Sequence, residues 1–375
     1  SKMGVINEER LLQTFADMVA IDSPSFHERK MADSIKETFA GLGVELTEDN
    51  ANAYYGSEAG NLYGRLEGTL PGDPILFMCH MDTVEPARGR KCVIGPDGTI
   101  HSGGDTVLGA DDQTGIAELV ECLHVLKENQ MPHRALEFLF CFAEEAFGKG
   151  SAQFDFGKVL AKEGYTLDLD APIGSASLWE PTIIDFDIHI VGRGAHAGFH
   201  PEEGIHSIAI AADIIEALPV GRVDERTVLN IGLISGGTIK NAVPATCDLG
   251  GELRSRDHET ALALMEKVEK TAQEMAEKRG ATVKVTHCID IHGYEIDPEE
   301  PVVKRFLAAA KKAGVEPRLT GTFGGSDNST YVYRGGRGIV LASAMYGCHT
   351  VNESTNIHDM AKCAEIVLNL MTAEV

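Results

Sequence analysis

A chain of 375 residues is too long for one ordinary core and implies roughly two domains. With 43% apolar residues it can bury a core, which excludes wholesale disorder. The 33 Lys and Arg against 57 Asp and Glu leave a formal charge of -24, which argues against nucleic acid and anionic membrane surfaces as partners.

The 8 cysteines include no C-x-x-C pair, and several, such as Cys79 and Cys141, sit in apolar runs. They read as small buried hydrophobes in a reducing compartment, not as a disulfide framework. No apolar run approaches the ~18 residues of a membrane span. The start, Ser1-Lys2-Met3-Gly4, has no apolar signal core, and Ser1-Lys2 read as residues added ahead of Met3. A cytoplasmic protein is expected.

In chain order, helical spacing over residues 7–43 is carried by Leu11, Phe15, Met18 and Val19, then by Met31, Ile35 and Phe39. Strand character follows through Asn61–Leu66. The continuous apolar run Ile75–His80 predicts a buried central strand, and Leu136–Phe142 predicts another. Between them, Ile116, Leu119, Val120, Leu123 and Leu126 form a helical stripe. Strand–helix–strand alternation points to an α/β sheet, whose sites lie beyond the carboxyl ends of its strands.

From Thr182 the pattern changes. Ile184, Phe186, Ile188 and Ile190 alternate with Asp185, Asp187 and His189, as in a half-buried antiparallel strand. A helix over 208–218, strands at 227–234 and 248–254, a helix over 257–279 and a strand at 282–289 complete a β-α-β-β-α-β module. A helix from Val302 to Ala313, the Gly321–Gly325 loop, a strand Gly338–Ala344 and a helix from 358 return to the first pattern. The reading is a split domain, 1–181 plus 294–375, with an inserted domain at 182–293.

Five segments place His, Asp or Glu at a strand end or helix start. His80-Met81-Asp82 can pair an imidazole with the carboxylate that orients it. Asp111-Asp112 precede a helix, and they either cap it or bind a cation; Asp112 can cap while Asp111 binds. Glu144-Glu145 follow an apolar strand, where adjacent carboxylates are costly unless neutralised or solvated. Tyr165–Asp170 reads as an acidic turn after a short strand, and Gly347–Glu353 carries His349 after another strand. Carboxylates mixed with imidazoles suit zinc, manganese or cobalt better than calcium.

On these motifs the sequence resembles the zinc-dependent exopeptidase and acylase family that includes peptidase T, glutamate carboxypeptidase and aminoacylase, and most of all its peptidase T-like branch. The likeness covers nearly the whole chain. It implies a mixed-sheet α/β catalytic domain with an inserted, smaller α+β lid and dimerisation domain. It implies two divalent ions, zinc first and cobalt or manganese as alternatives. His80, Asp111 and Asp168 would bind one ion, and Asp111, Glu145 and His349 the other. Glu144 would be the general base, and Asp82 would orient His80. In the insert, His196 would polarise the scissile carbonyl, while Asn241, Arg254, Gly325 and Ser326 would face substrate. The implied activity is exopeptidase cleavage of di- or tripeptides by a homodimer. Ala146-Phe147 and Phe199-His200-Pro201 depart from the tripeptidase pattern. Hydrolysis of an N-acyl amino acid is therefore carried as an alternative, and a non-catalytic metal- or peptide-binding protein as another.

Overall fold

The computed structural model describes residues 4–374; Ser1–Met3 and Val375, and with them the Ser1-Lys2 reading, lie outside the described residues. Leu11, Phe15, Met18 and Val19 form the buried stripe of α1 (Glu8–Val19), whose first turn is capped by the Asn7 side chain. The helical pattern does not run unbroken to residue 43. It stops, and α2 (Arg29–Gly41) starts afresh. Pro24 lies in the break, where it restricts Ser23 to extended backbone. That backbone bridges instead to Thr83.

Strand β1 (Leu62–Leu66) leads to β2 (Ile75–His80), which is buried along its whole length. Helix α3 (Ala110–Glu128) starts earlier than its apolar stripe, and Asp111 and Asp112 at its head are not helical in φ/ψ. Strands β3 (Leu136–Cys141) and β4 (Glu163–Leu169) follow. Asp168 lies inside β4, not in a turn after it. The 180–294 stretch then supplies β5 (Thr182–Val191), α4 (Ser207–Ala217), β6 (Thr227–Gly236), β7 (Thr246–Ser255), α5 (His258–Lys278) and β8 (Thr282–Ile291). The chain closes with α6 (Pro301–Lys312), α7 (Asp327–Tyr333), β9 (Arg337–Ala342) and α8 (Ile357–Thr372). Helix α7 is absent from the sequence expectation, because a short helix starting straight after a glycine-rich loop leaves no full apolar period to read.

The described chain divides into two compact units. The second comprises Glu180–Tyr294 with Phe323–Gly325, and the first holds the rest. The first is built on an 8-stranded mixed sheet. Its centre runs β1, β3, β2, β4, β9, and the last four of these are parallel neighbours. Strand β1 is antiparallel, as is the short Ser175–Ser177 strand beyond β9. Four parallel strands side by side send four carboxyl ends to one edge of the sheet.

The second unit is a 5-stranded antiparallel sheet in which β6, β7, β5 and β8 are successive neighbours. Ile184, Phe186, Ile188 and Ile190 of β5 pack with Ile210 and Ile214 of α4 and Leu264 and Val268 of α5 in one core. Asp187 and His189 take the opposite, exposed side of the same strand. Among the described residues every cysteine is free; Cys79, Cys122, Cys141, Cys247 and Cys363 are buried. Cys288 departs from the sequence expectation, because it stands exposed on β8.

Glu118 lies in α3 with no exposed surface, and neither carboxylate oxygen has a hydrogen-bond partner. Burial holds its pKa well above the usual carboxylate value. A raised folded-state pKa lowers stability as pH climbs above the unfolded value of about 4.3. Glu118→Gln should therefore gain thermal stability relative to the parent between pH 5 and pH 8. Melting curves that keep a constant separation across this range would contradict it.

Candidate metal centre

The four parallel strand ends explain why distant residues meet. His80 ends β2, Glu144 and Glu145 follow β3 by a tight turn, Asp168 is the penultimate residue of β4, and His349 sits in the loop after β9. Asp111 enters from the non-helical head of α3. Its two oxygens face different imidazoles: Oδ1 is 2.8 Å from His80 Nε2, and Oδ2 is 3.1 Å from His349 Nε2. Glu145 Oε2 approaches His349 Nε2 to 2.8 Å. Glu144 and Asp168 come within 3.4 and 3.5 Å of His80 Nε2. The ligand atoms of His80, Asp111 and Asp168 all lie within 4.8 Å of one another, as do those of Asp111, Glu145 and His349. A third set, His80, Glu144 and Glu145, meets the same limit.

A second tier of carboxylates holds these residues by their backbones. Asp82 accepts from Glu144 N at 3.0 Å with Oδ1 and from Glu145 N at 3.1 Å with Oδ2, and Ser25 donates to Oδ2. Glu28 accepts from Ala143 N at 2.7 Å. Asp112 accepts from His80 N at 3.1 Å, so its carboxylate serves β2 and does not cap α3. Glu353 takes that part, accepting from Gly109 N and Asp111 N. Asp170 accepts from Cys348 N at 3.1 Å, which places it behind the His349 loop and not in the cluster. Gly109 suits this position because its φ is +91°, a backbone that side chains rarely adopt, and an added Cβ would also displace the Arg90 guanidinium.

The sequence reading missed Ser25, Glu28 and Glu353. Ser25 and Glu28 lie in the break between α1 and α2, where the helical reading hid them. Glu353 closes the Gly347–Glu353 motif, where the sequence gives it no role of its own.

His80 Nδ1 is 2.8 Å from the Asp82 carbonyl oxygen, which fixes the proton there and turns Nε2 toward the carboxylates. Burial opposes the His80 cation, yet Glu144, Asp168 and Asp111 outweigh it and hold the imidazole pKa well above its usual value. Burial, then Asp111, raises Asp168 strongly, and burial raises Glu144 strongly. Glu145 is pushed up to about 7 by burial and by Asp111. Hydrogen bonds to Asp111 and Glu145 push His349 up to about 11. Asp111 is buried, but the two imidazoles pull it well below the carboxylate range. So many mutually raised acids around two imidazoles fit a cationic occupant, because a buried carboxylate without a positive partner is costly.

In the second unit, the paired strands Ala195–His196 and Ala242–Val243 form a small ribbon. His196 Nδ1 accepts from Gly198 N and Phe199 N, each at 3.1 Å, and its ring stacks on Phe199 at 4.4 Å. Nδ1 is thus an acceptor, and Nε2 carries the proton outward. Asn241 joins the same ribbon, its carbonyl accepting from Ala197 N. Arg254 does not. It pairs across from Ile183, whereas the ribbon adjoins the Val191–Thr246 end of the same strand pair. Eight residues of strand separate those ends, about 26 Å. The Arg254 guanidinium is held by Glu252 at 2.9 Å and by the Phe323 carbonyl at 2.7 Å, an internal ion pair at a position that the resemblance turns toward substrate. Gly325 backs onto Ile291, 2.9 Å from where a Cβ would stand. Ser326 caps α7 by accepting from Asn328 N.

Fold and cluster together define a metallohydrolase of mixed α/β architecture with a separate α+β domain. Residues 61–174 match peptidase family M28, and residues 180–280 match the peptidase dimerisation domain. The crystal structure of aminopeptidase PepT from Bacillus cereus ATCC 10987 is 37% identical, covers 98% of this chain and 99% of its own, and superposes with a TM-score of 0.94. That of a tripeptidase from Staphylococcus aureus subsp. aureus Mu50 is 34% identical, with the same coverage and a TM-score of 0.96. Peptidase T of Clostridium perfringens (strain 13 / Type A) is 26% identical over 97% of this chain and 98% of its own. The chain belongs to the peptidase T-like family of metallopeptidases. These relatives do not favour the N-acyl amino acid hydrolase alternative.

Metal binding needs deprotonated ligands, and His349, pushed up to about 11, and Glu145, pushed up to about 7, must give up protons to take an ion. Adding zinc to metal-free protein at pH 7 should therefore release protons, and affinity should fall from pH 8 toward pH 5. Calorimetric titration in two buffers of different ionisation enthalpy reads this directly. Identical heats in both buffers would contradict it.

Proposed function

We propose that this chain is a two-ion exopeptidase, an aminopeptidase that removes residues from tri- or dipeptides. The ions are zinc by preference, with cobalt or manganese able to use the same donors. His80, Asp111 and Asp168 hold one ion; Asp111, Glu145 and His349 hold the other. The observation that carries this reading is Asp111, whose two oxygens face two different imidazoles and so suit a bridging carboxylate.

Two ions so held would polarise the substrate carbonyl and lower the pKa of a water from about 15.7 toward about 7. Glu144 is the general base. Unlike Glu145, it makes no ion pair with His349, and burial raises its pKa well above the usual carboxylate value, which makes it a stronger base. It takes a proton from the attacking water and returns it to the leaving amine. Asp82 keeps Glu144 in register through the backbone and keeps His80 in the required tautomer. His196 offers Nε2–H to the carbonyl oxygen as negative charge develops, a role whose loss costs about 100- to 1000-fold in rate. Gly325, Ser326 and Arg254 contact substrate, with Arg254 first exchanging Glu252 for a substrate carboxylate, while His196 and Asn241, about 26 Å from Arg254 along the strand pair, reach it from the second copy of the chain in the homodimer.

The match over 180–280 supports assembly as a homodimer through the inserted domain, residues 182–293, with 1–181 and 294–375 as the catalytic domain. No helix among the described residues is long and apolar enough to cross a membrane, and the cysteine pattern supports a cytoplasmic setting.

Glu144→Gln should lower kcat by at least about 100-fold on tripeptides while the protein still binds two ions per chain. Tripeptide and dipeptide turnover paired with metal analysis tests it. Parent-like activity in the variant would remove Glu144 from the base role.

A further inference from the structure

Glu353 stands four residues beyond His349 and is 1% exposed. Its Oε1 accepts from Gly109 N at 2.7 Å and its Oε2 from Asp111 N at 2.9 Å, so both oxygens are spent on the head of α3. That head cannot hold itself. Gly109 occupies the N-cap position without a side chain to cap, and Asp111 and Asp112 lie outside helical φ/ψ. The amides that a helix start leaves unsatisfied are met here from another part of the chain.

The donor of that support is also a ligand-bearing loop. Tyr346 and Ser354 exchange backbone hydrogen bonds at 3.0 and 2.9 Å, which closes residues 346–354 into one loop. Glu353 N bonds to Thr350 O inside it, and Asp170 anchors its other flank at Cys348 N. His349 has φ +70° within this loop, a conformation a non-glycine residue keeps only when its surroundings impose it. One closed loop therefore presents His349 and fixes the backbone of Asp111.

We propose that Glu353 is a positioning residue that locks the His349 loop to Asp111 and thereby sets the occupancy of the second ion site, formed by Asp111, Glu145 and His349. This rests on the two-ion reading above. Two of that site's three residues are mounted through Glu353. The first site shares Asp111, but its other two residues have mounts that do not pass through Glu353: His80 is held by Asp112, and Asp168 sits within β4. Loss of Glu353 is thus asymmetric. Outer-tier partners of this kind change metal affinity by about 10- to 100-fold.

The test is a cobalt(II) titration of the metal-free full chain and of Glu353→Gln, followed by calorimetry and by visible absorption of the bound ion. The Gln side chain can accept only one of the two N–H groups and turns an NH₂ toward the other. The parent is expected to take two cobalt ions per chain. Glu353→Gln should bind one with affinity within about threefold of the parent and the other at least about 10-fold more weakly, with a matching loss of the second ion's absorption. Should Glu353→Gln not fold, Glu353→Asp, which keeps the charge but shortens the reach, is expected to give the same asymmetry. Equal affinities for both ions in variant and parent, or equal weakening of both, would overturn the role assigned to Glu353 while leaving the two-ion reading intact. A parent chain that takes fewer than two ions would instead overturn that reading.

Discussion

The structure depends on a crowd of buried negative charge that something positive must hold together. Asp111, Glu144, Glu145 and Asp168 surround His80 Nε2, while Asp82, Asp112, Glu28 and Glu353 stand buried behind them. Isolated, such carboxylates would repel and take up protons, as the raised pKa values of Glu144, Asp168 and Asp112 express. The two tiers solve different halves of the problem. The inner tier points oxygens and imidazole nitrogens at one place. The outer tier accepts from backbone N–H groups, so that His80, Asp111, Glu144 and Glu145 are held by their main chains as well as by their side chains.

The sheet makes that arrangement possible. In a run of parallel neighbours, every strand delivers its carboxyl end to the same edge, so His80, Glu144-Glu145, Asp168 and His349 converge without any long-range search. The second unit brings His196 and Asn241 together by a different device, a short two-stranded ribbon. There the acceptor role of Nδ1 leaves an outward N–H donor on an exposed imidazole, a suitable group to meet a developing oxyanion.

Much of this was legible in the residues. The short, largely apolar runs at 75–79 and 136–142, the second interrupted only by Glu137, read as buried central strands, and polar residues directly after such strands mark an edge with chemistry. The alternation in 182–191 separates the second architecture from the first by its period alone. What stayed hidden has a common cause. Outer-tier residues act through backbone hydrogen bonds, which have no spacing rule: nothing in the neighbourhood of Glu28 or Glu353 shows that it will accept from Ala143 or Asp111, 115 and 242 positions away. Asp112 reads as a cap because carboxylates before helices usually cap; here its carboxylate accepts from His80 N of β2 instead. Arg254 reads as facing substrate through the family resemblance, although strand alternation already puts Glu252, two residues before it, on the same face, and there it grips the guanidinium.

The most direct measurement is diffraction from crystals of the zinc-loaded protein, with anomalous differences collected at the zinc edge. The account predicts two peaks about 3.5–4 Å apart, one on each side of the Asp111 carboxylate. His80 and Asp168 should contact the first, Glu145 and His349 the second, and Glu144 neither. A single peak, or an ion ligated by Glu144 in place of Asp111, would contradict it.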